Sequence, residues 1–143
     1  MEAASARVRL GARPKSTPAE AAIEARSAAA YTAEGIGTFL LVFFICGVIS
    51  VGNAGVLQLD LAGLGMLHAL TLGVLVYALA TSCGAHFNPA ITVAQLAIRQ
   101  IRARDAAAYV VFQLAGGALA AALAYRALVL ARQTNTTPME VSR

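Results

Sequence analysis

Charged residues are scarce in this chain. They make up 13% of its 143 residues, whereas hydrophobic residues make up 59%, and the mean hydropathy is +0.69. So little charge beside so much apolar surface excludes an ordinary soluble globule and predicts a membrane protein with several spans. The net charge of +4 does not point to nucleic acid as a partner, because the basic residues flank the apolar runs, as loop Lys and Arg do in membrane proteins.

Residues that commonly carry chemistry are also few. The two cysteines, Cys46 and Cys83, lie in apolar segments and have neither the spacing of metal ligands nor that of a secreted disulfide framework. No Ser-His-Asp set, phosphate-binding glycine loop or metal-ligand cluster is visible in the sequence. We therefore expect no enzymatic activity and no cofactor.

Three long apolar runs divide the sequence, and only occasional polar residues interrupt them. Each run is long enough to cross a hydrocarbon core of ~30 Å as a helix. A shorter helical segment lies between the second and third runs. We predict an all-α membrane protein with three transmembrane helices and one re-entrant half-helix. The spans are predicted at about 31–52, 61–82 and 106–131, and the half-helix at 88–99.

The half-helix begins in the segment Gly-Ala-His-Phe-Asn-Pro-Ala-Ile-Thr at residues 84–92. Asn88 is a favourable N-cap and Pro89 suits the first helical position, so a helix is predicted to start here and to run to about Arg99. At ~1.5 Å per residue it reaches about halfway through the membrane. Broken backbone at that depth is tolerated only where it is buried in protein or lines a water-filled cavity. The positive end of such a helix repels cations and orients polar solutes, which is typical of channels and transporters.

This segment closely resembles the first signature loop of the aquaporin and glycerol-facilitator family, whose Asn-Pro-Ala motif caps such a half-helix. Residues 33–42 (Ala-Glu-Gly-Ile-Gly-Thr-Phe-Leu-Leu-Val) look like the family's first spanning helix, and residues 109–116 (Tyr-Val-Val-Phe-Gln-Leu-Ala-Gly) look like its third. The resemblance covers about 31–131. Family members contain this unit twice, in opposite orientations, and one copy is recognisable here. The resemblance therefore implies half of an aquaporin-like barrel.

The resemblance also implies which residues contact a solute. The amide of the motif asparagine, here Asn88, would donate a hydrogen bond to the permeating molecule; the alternative is that Asn88 only caps the helix. Pro89 and Ala90 would fix the start of the half-helix and allow close packing. Ungapped counting back from Asn88 places His68 at a filter position of the family's second helix, the alternative being a histidine that a neighbour satisfies near the interface. Ile91 stands where the family's second copy has its filter arginine, so two identical copies would leave a less polar and wider filter.

The remaining candidates would line or support the loop. Gly84, Ala85 and His86 are predicted to face the pore, with His86 first of all orienting the loop. An unpaired Glu34 would be expensive in hydrocarbon. The resemblance implies that Glu34 faces inward and accepts hydrogen bonds from the loop backbone, and that Gln113 plays a similar part. A proton relay through Glu34 is the transporter alternative, which the lack of a second intramembrane carboxylate disfavours.

Both ends of the sequence are more polar than its middle. Residues 1–30 form a polar segment in which we expect disorder and then a short surface helix at 17–29. Residues 132–143 are expected to form a polar tail. Three spans put the two ends on opposite sides of the membrane. Eight Lys and Arg residues would lie on the N-terminal side and three on the other: Arg7, Arg9, Arg13, Lys15, Arg26, Arg99, Arg102 and Arg104, against Arg126, Arg132 and Arg143. This bias predicts a multi-pass cell-membrane protein with a cytoplasmic N-terminus, and dual topology is the alternative.

One half-helix cannot fill a spanning pore, so a second must enter from the opposite side. The favoured partner in the lipid bilayer is another copy in an antiparallel dimer, and by analogy with family pores that cluster in fours the assembly could contain about eight chains. The charge bias opposes dual insertion, which leaves a second half-channel chain, or a parallel oligomer without a pore, as alternatives. We predict a passive channel for water and small neutral solutes such as glycerol. The rival hypothesis is a non-conducting scaffold or degenerate half-channel.

Overall fold

The computed structural model describes residues 18–55, 57, 58 and 60–135, and within them it contains helices but no strand. Four α-helices follow one another along the described residues: α1 (Pro18–Asn53), α2 (Leu61–Cys83), α3 (Pro89–Ala97) and α4 (Ala103–Asn135). Three segments of this described part are long and apolar enough to cross a membrane: Ser27–Asn53, Leu61–Cys83 and Ala103–Leu130. The predicted fold class, an all-α membrane protein with three spanning helices and a short helix between the second and third, is confirmed.

The long helices extend further than the sequence predicted. Residues 18–30 were expected to form at most a short surface helix in a polar segment, but α1 begins at Pro18 and is continuous with the first span. Its first turns are rich in alanine and glutamate, which are strong helix formers, and proline is tolerated in a first turn. α4 likewise runs on to Asn135, into the expected tail. The disorder expected at 1–17 and the rest of the tail lie outside the described residues.

The short α3 has nine residues, which correspond to about 14 Å, less than half of a ~30 Å hydrocarbon core. It is shorter at both ends than the predicted 88–99. Asn88 is its N-cap, and the helix stops before Arg99, whose φ of 60° is left-handed. Backbone N–H groups of residues 98–100 bond back to α3 carbonyls, which satisfies the end of the helix.

α1 and α4 form the middle of the bundle, since α1 packs against α2 and α4, and α4 packs against α1 and α3. Where α1 and α4 meet, Gly116 lies so close to the carbonyl of Gly35 that a methyl group at Gly116 would overlap it. Ala120 and Ala124 continue the same face of α4, and both are buried. Small residues at every fourth position therefore let these two helices approach closely.

Many large apolar side chains lie at the surface of the described chain. In water such a surface would favour aggregation, whereas in a bilayer it meets lipid or another subunit. Examples with more than half of the side chain exposed are Leu61, Met66, Leu70, Val74 and Tyr77 on α2, and Val111, Leu114, Leu119 and Tyr125 on α4. The surface thus agrees with the membrane-spanning assignment of these helices.

Candidate functional site

The connection between α2 and α3 turns sharply at the backbone level. Gly84 ends α2 in the left-handed conformation with φ of 82°, and its N–H donates to the Ala80 carbonyl at 2.8 Å. Ala85 and Phe87 are also left-handed, with φ of 52° and 46°. A left-handed residue other than glycine costs roughly 1–2 kcal/mol, so residues 84–88 need tertiary bonds to hold this path.

Glu34 supplies those bonds from α1. Its side chain is fully buried, and one carboxylate oxygen accepts a hydrogen bond from the backbone N–H of His86 at 2.8 Å. The other oxygen accepts from the backbone N–H of Phe87 at 2.7 Å and from Nε2 of Gln113 at 2.8 Å. Three donors offset much of the desolvation cost of a buried carboxylate, and two of them fasten the loop backbone to α1.

Gln113 and Thr92 extend this contact to the half-helix. Thr92 is buried in the first turns of α3, where its Oγ1 accepts a hydrogen bond from Nε2 of Gln113 at 3.0 Å and lies 3.1 Å from Nδ1 of His86. The Thr92 hydroxyl also donates to the carbonyl oxygen of Asn88 at 3.2 Å. Side chains from α1, the loop, α3 and α4 thus form one polar network. Among the described residues, no buried side-chain polar atom is left without a partner, which is the condition under which such a network adds rigidity.

The ring of Phe87 fills a notch in α1. Phe87 is 3% exposed, and a methyl group at Gly37 would overlap its ring. At the start of the loop, the Tyr109 hydroxyl donates to the carbonyl of Cys83 at 2.7 Å. The Tyr109 ring packs edge-on against His86, with centroids 5.2 Å apart. The loop is therefore held by its backbone and by its side chains.

The Asn88 side chain is oriented by the hydrogen bond that it makes as the N-cap of α3, and the residue remains exposed. Its Oδ1 accepts a hydrogen bond from the backbone N–H of Ala90 at 2.8 Å, and Pro89 occupies the first helical position. Because the oxygen is turned toward the helix, the amide nitrogen faces away from it, and that nitrogen has no partner within the described part of the chain. An exposed amide with oriented N–H donors at a helix N-terminus can donate to the oxygen of a solute.

The other residues predicted to contact solute around the loop differ in exposure. All of them lie in the loop or in the first turn of α3. Their accessibility decides which of them a solute could reach. The exposed ones are Gly84, Ala90 and Ile91, and the half-buried ones are Ala85, His86 and Pro89.

His68 lies on α2, away from this network. It is exposed, and it precedes Cys83 by fifteen residues, or roughly 22 Å along the helix axis. An open depression of about 790 Å³ lies at the connection between α1 and α2, where Asn53, Gln58 and Asp60 contribute to its lining. The structure does not bring His68 into contact with the loop. Along α2, His68 lies between the loop and this depression.

The structure brings Glu34 and Gln113 together with the loop, and it adds three residues that sequence reasoning missed. Thr92 could have been found as a polar residue one turn after the motif asparagine, at the start of a mostly apolar helix. Gly37 and Phe87 gave no comparable signal, because only the fold places a ring against a particular glycine. Among the described residues, no group of three His, Cys, Asp or Glu side chains could hold a metal ion.

Comparison with known proteins gives a consistent result. Residues 22–142 match the family model described as Major intrinsic protein. The chain is 39% identical to "Aquaporin NIP1-2" of Arabidopsis thaliana over 90 residues, covering 63% of this chain and 31% of the relative. It is 39% identical over 92 residues to "Glycerol uptake facilitator protein-like 6" of Lactiplantibacillus plantarum, covering 64% and 40%. It is 38% identical over 94 residues to "Aquaporin Z" of Photorhabdus laumondii, covering 65% and 41%. The match therefore spans less than half the length of each of these relatives.

Proposed function

Because the chain belongs to the major intrinsic protein family, we propose that it forms one half of a passive channel for water and small uncharged solutes. Members of this family are channels and not enzymes, and the family and the three apolar helices together support an integral membrane protein. The observation that carries the proposal is the exposed Asn88 amide, whose oxygen is engaged by the cap while its N–H donors face outward. The relatives named as aquaporins and as a glycerol uptake facilitator support this class of solute.

Asn88 and α3 act together on a passing solute. The oxygen of water or of an alcohol accepts a hydrogen bond from the Asn88 amide, and the positive end of α3 favours that orientation while it repels cations. The polar network around Glu34 fixes the amide before the solute arrives. Little reorganisation is then needed when one solute molecule replaces the next, which suits a passive channel.

A second half-helix completes the pore in this proposal. Two helices of about 14 Å, entering from opposite faces and meeting end to end, span about 28 Å, close to a hydrocarbon core of ~30 Å. Another copy of the chain inserted in the opposite direction supplies the second one, with the two Asn88 caps at the midplane. Apolar residues on α3 that remain exposed, among them Ile91 and Val93, are available for that contact. A different half-channel chain is the alternative partner, and eight chains would form about four such pores.

His68 and Ile91 set the width and polarity of the passage. The His68 imidazole is exposed on α2 and offers one donor and one acceptor to a solute. Ile91 is 46% exposed in the first turn of α3 and adds an apolar surface beside the Asn88 amide. Because His68 lies far from the loop of its own chain, the filter would pair His68 of one copy with Ile91 of the inverted copy, and it would admit small alcohols as well as water.

Stopped-flow shrinkage of liposomes that contain only this chain tests the proposal. Wild-type vesicles should shrink faster than protein-free vesicles and should also pass glycerol. Asn88→Ser keeps an N-cap side chain but removes the amide donors, so we expect the water flux to fall about twofold to tenfold, the equivalent of one neutral hydrogen bond. Asn53→Ser is the matched control, because Asn53 is also an exposed asparagine but lies at the far end of α1. Wild-type flux equal to that of empty vesicles would contradict a self-sufficient channel.

Labelling of both ends of the chain tests the antiparallel assembly. Single cysteines are introduced near each end in a background in which Cys46 and Cys83 are replaced by serine, and intact cells are treated with an impermeant reagent. Dual insertion predicts that a fraction of each end reacts from outside. A single orientation would exclude the antiparallel homodimer and would leave a second half-channel chain as the partner to be sought.

A further inference from the structure

The connection between α3 and α4 carries three exposed arginines, Arg99, Arg102 and Arg104, which we call the basic cluster. Among the side chains that the structure describes, no ion pair joins any of them to a carboxylate. The acidic residue beside them, Asp105, accepts a hydrogen bond from the Tyr31 hydroxyl on Oδ1 at 2.6 Å and keeps its negative charge. Three guanidinium groups beside this one carboxylate leave the described side chains of the connection with a net positive charge.

The basic cluster lies at one boundary of the membrane. The candidate spans Ser27–Asn53 and Ala103–Leu130 both begin on this side. The hydrogen bond between Tyr31 and Asp105 ties the first turns of these two spans to the same level. Tyrosine is enriched at the interface between hydrocarbon and headgroups, so the arginines next to it lie at headgroup depth.

The connection is held in place, so the arginines start from fixed backbone positions. The backbone N–H groups of Ile98 and Arg99 bond back to the carbonyls of Ala94 and Leu96. Ile101, in the same connection, packs against the buried core cluster. Ile98 is 65% exposed, so an apolar side chain lies next to the charged ones. A surface that contacts both acyl chains and headgroups needs this combination.

Two of the arginines are placed where the helix itself disfavours them. The Arg102 carbonyl accepts the N–H of Ala106 at 2.9 Å, which puts Arg102 directly before α4, and Arg104 lies in the first turn of that helix. Cations are unfavourable at a helix N-terminus because they face the positive end of its dipole. The positive-inside bias requires arginines on this side of the membrane, but it does not require them in the first turn of α4. An external anion would offset the unfavourable placement.

We propose that the basic cluster binds the phosphate headgroup of an anionic phospholipid, with an acyl chain of that lipid beside Ile98. Guanidinium groups bind phosphate oxygens in pairs, and three of them on a fixed connection can engage one headgroup from several directions. The bilayer is the source of the phosphate, because the cluster lies at the membrane boundary and is flanked by an exposed apolar side chain. The site is separate from the proposed pore and does not depend on conduction.

Titration of the full chain in detergent, with bound lipid counted by native mass spectrometry, tests this proposal. Phosphatidylglycerol should bind more tightly than phosphatidylcholine of the same acyl chains. Each arginine near a charged headgroup contributes about a fivefold change in affinity, so Arg102→Gln should weaken phosphatidylglycerol binding about fivefold and the triple glutamine variant about a hundredfold. Arg102→Lys keeps the charge but loses the paired bonds to phosphate, so its affinity should lie between those of the wild type and Arg102→Gln. Arg126→Gln is the matched control, because Arg126 is an exposed arginine near the other end of α4.

Three results would overturn the proposal. Equal affinity for the two lipids would show that the headgroup charge is not recognised. Equal losses of phosphatidylglycerol affinity in Arg102→Gln and Arg126→Gln would show that the site does not lie at this connection. Displacement of phosphatidylglycerol by millimolar inorganic phosphate would identify a site for free anions instead. Circular dichroism of each variant checks its helix content, and the single variants keep the test valid if the triple variant does not fold.

Discussion

Replacement of Gly37 by alanine should dislodge the loop that carries Asn88. The new methyl group would overlap the ring of Phe87, which is nearly fully buried and cannot swing away without leaving the notch in α1. Phe87 also donates its backbone N–H to Glu34 at 2.7 Å, so a shift of the ring pulls on the bond that holds the loop. A single methyl group on α1 should therefore impair the site even though it lies outside it.

The size of this effect follows from three contributions. Overpacking of a core typically costs roughly 1–3 kcal/mol. The greater helix propensity of alanine returns about 1 kcal/mol. If the bond from Phe87 to Glu34 breaks, a hydrogen bond to a charged group adds a loss of roughly 1.5–3 kcal/mol. With that bond broken, we expect Gly37→Ala to lower the free energy of unfolding by about 1.5–5 kcal/mol.

Unfolding of the reconstituted chain by sodium dodecyl sulfate, followed by circular dichroism, measures this change. Gly47→Ala is the matched control, because Gly47 lies on the same helix and an added methyl group there meets no atom within 4 Å. That control should be neutral or slightly stabilising. In the double variant Gly37→Ala/Phe87→Ala the clash is absent. A double-mutant cycle for these two positions should therefore show a favourable coupling free energy of about 2 kcal/mol. The reasoning is refuted if Gly37→Ala is as stable as Gly47→Ala, or if the cycle shows no coupling.

Three further predictions concern the helix contact, the buried carboxylate and the filter. Gly116→Ala should destabilise the chain by roughly 1–3 kcal/mol, because its methyl group would meet the backbone of α1, which cannot rotate aside, whereas Gly117→Ala should have little effect; equal unfolding midpoints would count against this. Glu34→Gln should lower the free energy of unfolding by roughly 3 kcal/mol and remove most of the water flux, because one oxygen that accepts from the loop or from Gln113 is replaced by an NH₂ donor. Unfolding and stopped-flow assays should change together. A variant with unaltered stability and flux would show that the carboxylate charge is not needed. His68→Ala should widen the passage, so that liposomes pass larger polyols, and an unchanged solute cut-off would remove His68 from the filter.

Much of this fold can be predicted because its strongest signals are local. A run of apolar residues is long enough to span a membrane whatever its neighbours are, and the three candidate spans agree with the predicted ones to within a few residues. The start of α3 is equally local, since Asn88 bonds the N–H of Ala90, only two residues away. The hydrocarbon setting of Glu34 showed only that an unpaired carboxylate would be expensive there, and it was the family resemblance that implied donors from the loop.

What the sequence did not predict depends on contacts between distant segments or on competing local effects. Thr92 and Gln113 are twenty-one residues apart, and Glu34 and Gln113 are seventy-nine apart, so the polar network exists only after α1, α3 and α4 have met. The left-handed conformations of Ala85 and Phe87 oppose the ordinary preferences of these residue types. The early start of α1 reflects helix propensity prevailing over polarity, because a polar segment that is rich in alanine continues a helix once the first span has nucleated it.

The buried carboxylate and the strained loop depend on each other. The two left-handed non-glycine residues, Ala85 and Phe87, together cost roughly 2–4 kcal/mol, and each hydrogen bond to a charged group returns roughly 1.5–3 kcal/mol, so the bonds to Glu34 suffice to hold the loop. Conversely, Glu34 tolerates burial only because the loop and Gln113 supply its donors. Neither half of this contact is stable alone, so the loop should take its final path only after α1 and α4 have docked. The Asn88 amide, whose direction is set by that path, would then be among the last features of the chain to form.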